Sequence, residues 1–518
     1  MPELIEWPCD FPACQAIVLT SGAICELCYE VRCGTHDTQH NHECLTLDTQ
    51  DLRWERKREN KRLYLGDLLE TVRLHPHTIT QQASQLHSNI PCKLALPDNA
   101  DQLLESGLLA GFNVHFKIDF DDNTHWLLRV HQDERHRLPK EIRESNIKSE
   151  VTTLNILKDG NVPVPRAWLP PNFASNSGFE QELPFDYFFF EFISGETMRV
   201  SKHPFFSVSL SEDKLAQLIE GYANIQMELS ELKLPVKQIG CLTSSPDQKS
   251  VVAGPFIARG SFQNPKPPYL LGPFNTMKDR YLAHIDAALN YIYVGAICWW
   301  APVDAYLWHL ELRELVTHSE ILAEPLDAGD HLMWNDKGDV VGVLDWEWAY
   351  ATSKGEAFAS AYIFYDMVEY IRGDNSLTKE EKLLNDIYEK HDRKDLVECV
   401  KNGRLYQRLT RIGQYDRFYL KSGFREVFDS SNSIPNYDPP ENDVDWRIYM
   451  MKRYIDNEEL GNLMSKHDWS IERAEKEADK WYKEQEEKKK DTAEEEEKKQ
   501  NEEGKKDDDN VKLDTEKE

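Results

Sequence analysis

Two runs, "NVHFKIDF" from Asn113 and "HWLLRV" from His125, have the pattern of strands, with "DDNT" as the turn between them. The spacing then becomes helical in "KSEVTTLNILKDG", a segment that stops at Gly160. After "VPVPRAW" comes a further apolar run, "YFFFEFISG". Hairpin, helix and strand in that order predict a small mixed lobe over residues 101–200. From about Leu210 to Tyr419 helical patterns dominate, interrupted by a strand-like pair around Asp345, so 201–465 is expected to be a mainly helical larger lobe. Upstream, "DLRWERKRENKRLYLGDLLETVRL" is polar and helix-forming, which suits a connecting segment over 49–100 rather than a core. No internal repeat is visible.

The composition adds bounds to this outline. With 518 residues, 40% of them hydrophobic, the chain can bury a large core and has room for more than one domain. It contains no run of eighteen apolar residues and no basic-then-apolar start, so the expectation is a protein without a spanning helix or signal peptide, intracellular, in cytoplasm or nucleus. The formal net charge is −30, of which the tail from Lys483 to Glu518, with 10 Lys and 16 Asp or Glu, accounts for −6. The body itself is therefore acidic. That disfavours nucleic acid and anionic membrane as partners, since both require a basic surface. Residues 466–518 begin as a charged helical stretch and pass into "EEKKKDTAEEEEKKQNEEGKKDDDN", too polar to offset the entropy of ordering, so disorder is expected there.

Cysteine usage marks off residues 1–48, because six of the ten cysteines fall within the first 44 positions. The set reads Cys9-x4-Cys14-x10-Cys25-x2-Cys28-x4-Cys33-x2-His36-x5-His42-x-Cys44. Eight thiolate and imidazole donors suit two tetrahedral Zn²⁺ sites, and so short a segment has too little core to fold without metal. Interleaving the four close pairs lets Cys9, Cys14, Cys33 and His36 hold one ion and Cys25, Cys28, His42 and Cys44 the other. The spacing resembles that of the AN1-type zinc finger over about 40 residues. His40 is an alternative to His42, although only His42 keeps that family's spacing to Cys44. The resemblance implies two closed, structural zinc sites and a protein partner bound through the finger.

The region from Leu103 to about Tyr419 resembles the aminoglycoside phosphotransferase family, in particular its fungal branch. "GLLAGFNVHFKIDF" stands where the nucleotide-covering hairpin belongs, with Gly107 and Gly111 too sparse for a phosphate loop. Arg129 in "HWLLRV" takes the place of the phosphate-binding cation, and Glu150 in "KSEVTTLNIL" that of the carboxylate which orients it; the alternative is an ordinary exposed Arg and Glu. "FFFEFISGETM" matches the hinge, where the backbone of Phe190, Glu191 and Phe192 could read an adenine edge, or it is simply a buried apolar strand.

The stretch "EPLDAGDHLMWNDKGDVVGVLDWEWAY" carries the remaining likeness. Asp345 matches the metal-binding Asp at a strand end, and Glu347 is a further carboxylate beside it. The family sets its metal-binding Asn fourteen positions before that Asp, here His331, and its base Asp five before that, here Leu326. The usual general base is thus absent. Asp327 is one residue away, and Asp330 with Asn335 spells a second D-x-x-x-x-N register that shortens the following connection by four residues. Taken together, the resemblance implies an α+β chain with a zinc finger and a two-lobed, protein-kinase-like domain. Its expected activity is Mg²⁺- and ATP-dependent phosphorylation of a small-molecule hydroxyl, the acceptor itself being unreadable. The competing expectation is a non-catalytic adaptor with a pseudokinase domain.

Overall fold

The lack of alternation in the second hairpin strand dictates a sheet buried on both faces, because "WLLRV" is largely apolar at odd and even positions alike. The computed structural model describes residues 7–8, 17–18, 50–106, 108–109, 113–132, 139–171, 173, 183–194, 196–197, 211–245, 250–256, 269–323, 333–334, 340–342, 346, 348–416, 420–428 and 434–488. Its main sheet has five antiparallel strands: β1 (Cys92–Ala95), β2 (Asn113–Phe120), β3 (His125–His131), β4 (Ala167–Trp168) and β5 (Tyr187–Glu191). They lie side by side in the order β1-β2-β3-β5-β4. The β2–β3 turn is where the sequence puts it. Asp122 accepts the Thr124 N–H at 2.9 Å, and Asn123 takes the left-handed backbone, φ +66°, that an Asn side chain tolerates.

One face of the sheet, with Val114, Phe116, Ile118, Trp126, Leu128, Val130 and Phe189, is covered by two helices that precede it. These are α1 (Gln50–Arg73) and α2 (Pro76–Leu86). On α1, Leu65, Leu68, Leu69 and Val72 fall at helical spacing and are buried; on α2, Ile79 and Ala83 join them. The segment read as a connector is therefore part of the core of the smaller lobe and also supplies its edge strand β1. Charges on the exposed side of α1 disguised the apolar stripe, and an apolar sheet face has to be covered by something. A short helix, α3 (Ala100–Glu105), capped by Asn99, follows in the β1–β2 connection, where a glycine-rich turn would otherwise stand.

The opposite face receives α4 (Lys140–Asp159), whose Ile147, Val151, Leu154 and Leu157 pack with Leu127, Phe188 and Phe190. The helix stops at Gly160 as expected; a Cβ there would lie 2.2 Å from Leu232 Cδ1, which crowds in from the end of α5 (Glu212–Glu231). The same apolar cluster continues through Ile219 and Tyr222 of α5 into the helices Lys379–Lys390 and Lys394–Lys401. Sheet and larger lobe thus share one core.

The rest of the larger lobe is built around α6 (Met277–Tyr293) and α7 (Pro302–His318). Buried Glu311 on α7 gathers distant segments by accepting from Arg425 Nε at 2.7 Å, Trp446 Nε1 at 2.7 Å and Tyr437 Oη at 2.6 Å. His309, two residues closer to the start of α7, accepts the Gly413 N–H at Nε2 (2.9 Å), so Nδ1 carries the proton toward the Ala305 carbonyl. Burial pushes its pKa down to about 4, consistent with that neutral tautomer. Helix Lys379–Lys390 opens with a capping box at Thr378, and its Glu381 takes both Arg404 nitrogens at 2.7 and 2.6 Å, joining it to helix Gly403–Leu409. Beyond Lys466 the chain is again helical over 471–488. The tail expected to be disordered lies mostly outside the described residues. No described helix is long and apolar enough to cross a membrane.

Candidate active site

Arg129 stands on the third strand of the sheet and Glu150 in the middle of the helix that follows it; the fold brings them together as an ion pair, Arg129 Nη1 to Glu150 Oε1. They are 6% and 5% exposed, so this is not an ordinary surface pair. Taking two charges out of water costs on the order of several kcal/mol for each ion and is sustained only by close pairing. The guanidinium carbon also lies 5.2 Å from the Phe188 ring centroid, a cation–π contact from the neighbouring strand.

Opposite Arg129 in the β2–β3 register is His115, with Nδ1 2.9 Å from the Leu108 carbonyl. Burial first, and then the Arg129 charge, lower its pKa to about 4. Beside the pair lies a small, solvent-open cleft, lined among others by Asn113, His131, Asn146 and Asp186.

Glu191, at the end of β5, holds the chain rather than facing this cleft. Its carboxylate accepts the Arg166 N–H at 2.9 Å and lies 3.1 Å from Lys158 Nζ. Its own N–H goes to the Arg166 carbonyl, and that of Phe192 to His125, both at 2.9 Å. Two of the backbone donors expected to face an adenine edge, those of Glu191 and Phe192, are therefore engaged within the sheet.

The second half of the expected site hangs on a small antiparallel sheet of β6 (Glu196–Thr197), β9 (Met333–Trp334) and β10 (Val340–Gly342), separate from the hairpin of β7 (Leu242–Ser244) and β8 (Val251–Ala253). Met333 is the partner of Gly342, so the chain enters β9 and leaves β10 at adjoining points. His331 lies two residues before the first of these and Asp345 three after the second. Asp327, Asp330, His331, Asp345 and Glu347 themselves lie outside the described residues, as do all eight zinc-ligand positions, Cys9 to Cys44.

Downstream of Asp345 the structure contains an anchor that the sequence did not disclose. Glu356 forms an ion pair with Arg280 of α6 and accepts hydrogen bonds from Thr352 Oγ1 and, at 2.9 Å, from Tyr281 Oη. Arg280 reaches Tyr350 Oη at 2.9 Å and sits among the rings of Phe256, Tyr281 and Tyr350, 4.5 to 4.9 Å from their centroids. Burial alone would raise the Glu356 carboxyl pKa; the Arg280 charge and these hydrogen bonds outweigh it and hold the group below its ordinary value. Backbone pairing of Ala351 with Gly240 fixes the same segment from the other side. Only a lone Arg among the apolar positions of "MKDRYLAHI" hinted at this network.

No family model and no curated protein sequence matches the chain. Among solved structures it is similar to an ethanolamine kinase of Plasmodium vivax, with 13% identity over 64% of this chain and 82% of that one and a TM-score of 0.33. It is similar also to a macrolide 2′-phosphotransferase type I (12% identity, 68% and 96% covered, TM-score 0.31). A macrolide 2′-phosphotransferase from Brachybacterium faecium gives 10% identity, 71% and 99% coverage, and a TM-score of 0.31.

Proposed function

We propose that the two-lobed body is a kinase-like phosphotransferase domain that moves the terminal phosphoryl group of ATP to a small-molecule hydroxyl. The observation that carries this reading is the buried Arg129–Glu150 pair, a cation on the third strand and a carboxylate on the next helix. Kinase-like folds place a cation there to hold the nucleotide phosphates, and use the carboxylate to aim it. Arginine suits the role because its fork presents five donors in a fixed geometry that matches carboxylate and phosphate alike.

Mg²⁺, when bound, would offset phosphate charge, and Asp345 is the carboxylate proposed to hold it, with Glu347 in support. His331 takes the position of the metal-binding Asn. Strand β9 starts after His331 and ends before Asn335, which supports this register over the Asp330–Asn335 one. In the favoured register Leu326 replaces the base, leaving Asp327 to accept the hydroxyl proton, with Asp330 as the second candidate. Phosphoryl transfer draws most of its acceleration from positioning and electrostatics, so an imperfect base slows the reaction without abolishing it. The test is phosphate transfer from ATP and Mg²⁺ to a broad panel of hydroxyl acceptors. Turnover that falls more in Asp327→Ala than in Asp330→Ala supports the reading. A chain that binds nucleotide and phosphorylates nothing is instead the adaptor, a reading favoured by Leu326.

We also propose that Cys9, Cys14, Cys25, Cys28, Cys33, His36, His42 and Cys44 bind two structural zinc ions and present a protein-binding surface. The ligand spacing supports this. Metal analysis of the purified chain should give two zinc per molecule, and Cys28→Ser should release one while the main thermal transition stays in place. One zinc in the native chain, or collapse of that transition, would contradict it.

A further inference from the structure

Helix α4 is tied to the sheet by a second ion pair, Arg143 to Asp186, whose side chains are 17% and 6% exposed. Arg143 precedes Glu150 by seven residues, just under two helical turns or about 10 Å, so both project from one side of α4. Asp186 continues the β3–β5 ladder: its carbonyl accepts the His131 N–H at 2.9 Å. That puts it two residues along and one strand across from Arg129, about 8 Å away in sheet dimensions. The two spacings differ by only about 2 Å, which long Arg and Glu side chains can span. The charges are crossed, basic on the helix against acidic on the sheet, then acidic against basic. Sliding α4 to exchange partners would set Arg143 against Arg129, or Glu150 against Asp186, and like charges in a buried setting repel strongly.

A third contact fixes the first turn of α4. Ile142 forms a small apolar cluster with Cys241, against which Trp348 and Tyr350 pack. Trp348 holds a left-handed backbone, φ +65°, unusual for so bulky a residue and three positions after Asp345.

We infer that Arg143 is a positioning residue: by pairing with Asp186 it keeps α4 in the register that holds Glu150 against Arg129, and so keeps Arg129 aimed at phosphate. This rests on the kinase reading for its ligand, but the register itself does not. The experiment is a double-mutant cycle on the full chain, with Mg²⁺–ATP affinity and amide hydrogen exchange over 140–159 as readouts. Arg143→Met should weaken Mg²⁺–ATP about tenfold and speed exchange in α4, because it strands the Asp186 carboxylate and releases the helix register, an effect of which only part reaches Arg129 through Glu150. Arg143→Lys, which keeps the charge, should stay within about threefold. In a Glu150→Gln background Arg143→Met should change affinity by less than about twofold, because its effect passes through Glu150.

An unchanged affinity in the native background, or a full tenfold loss added on top of Glu150→Gln, would overturn the inference. If the native chain binds no nucleotide, the kinase reading fails by itself. Exchange then decides the register: faster exchange in Arg143→Met sustains it, and unchanged exchange overturns it.

Discussion

Arg129→Met is expected to weaken Mg²⁺–ATP binding by about a hundredfold or more and to lower the thermal transition, because it removes the cation proposed to hold phosphate and strands a buried carboxylate at once. These two losses can be separated. Adding Glu150→Gln should recover much of the stability, since the leftover charge is gone, yet leave the affinity low, since no cation has returned. Calorimetric titration and thermal unfolding of the two variants measure each part. If Arg129→Met binds nucleotide as well as the native chain, the pair is merely structural and the kinase reading loses its main support.

Glu356→Gln should have the largest effect on stability, about 3–5 kcal/mol by the usual scale for breaking a buried pair. The substitution keeps the shape of the side chain but leaves the Arg280 guanidinium, 7% exposed, without its carboxylate. Denaturant unfolding checks this, with Glu369→Gln as a control: its pair with Arg372 has side chains 48% and 66% exposed and should change stability by under about 0.5 kcal/mol. Equal effects at the two sites would show that the Glu356 network does not anchor the segment after Asp345.

Both sites show where the sequence speaks and where it is silent. The hairpin, α4 and the run around Phe189 are written in local patterns, period two or period three to four, so their positions could be read with Arg129 and Glu150 already on them. Whether those two met, and whether they were buried, depended on packing that no local pattern encodes. Arg280 and Glu356 are 76 residues apart and Arg143 and Asp186 are 43 apart, so neither pair leaves a periodic trace. Edge strand β1 was missed for a different reason: it has four residues and pairs with β2 alone. Glu191 lies on the strand-like run, but its N–H goes to Arg166 beside β4 and that of Phe192 to His125 of β3, donors that the apolar pattern could not show as engaged.

The most direct test of the phosphotransferase reading is calorimetric titration of the full chain with ATP, with and without Mg²⁺, for the native protein and Asp345→Asn. The expected result is saturable binding at one site that strengthens with Mg²⁺, and an Asp345→Asn variant in which the metal no longer adds affinity, because a hard dication needs the lost charge. No saturable binding by the native chain, or a metal effect that survives Asp345→Asn, would contradict it.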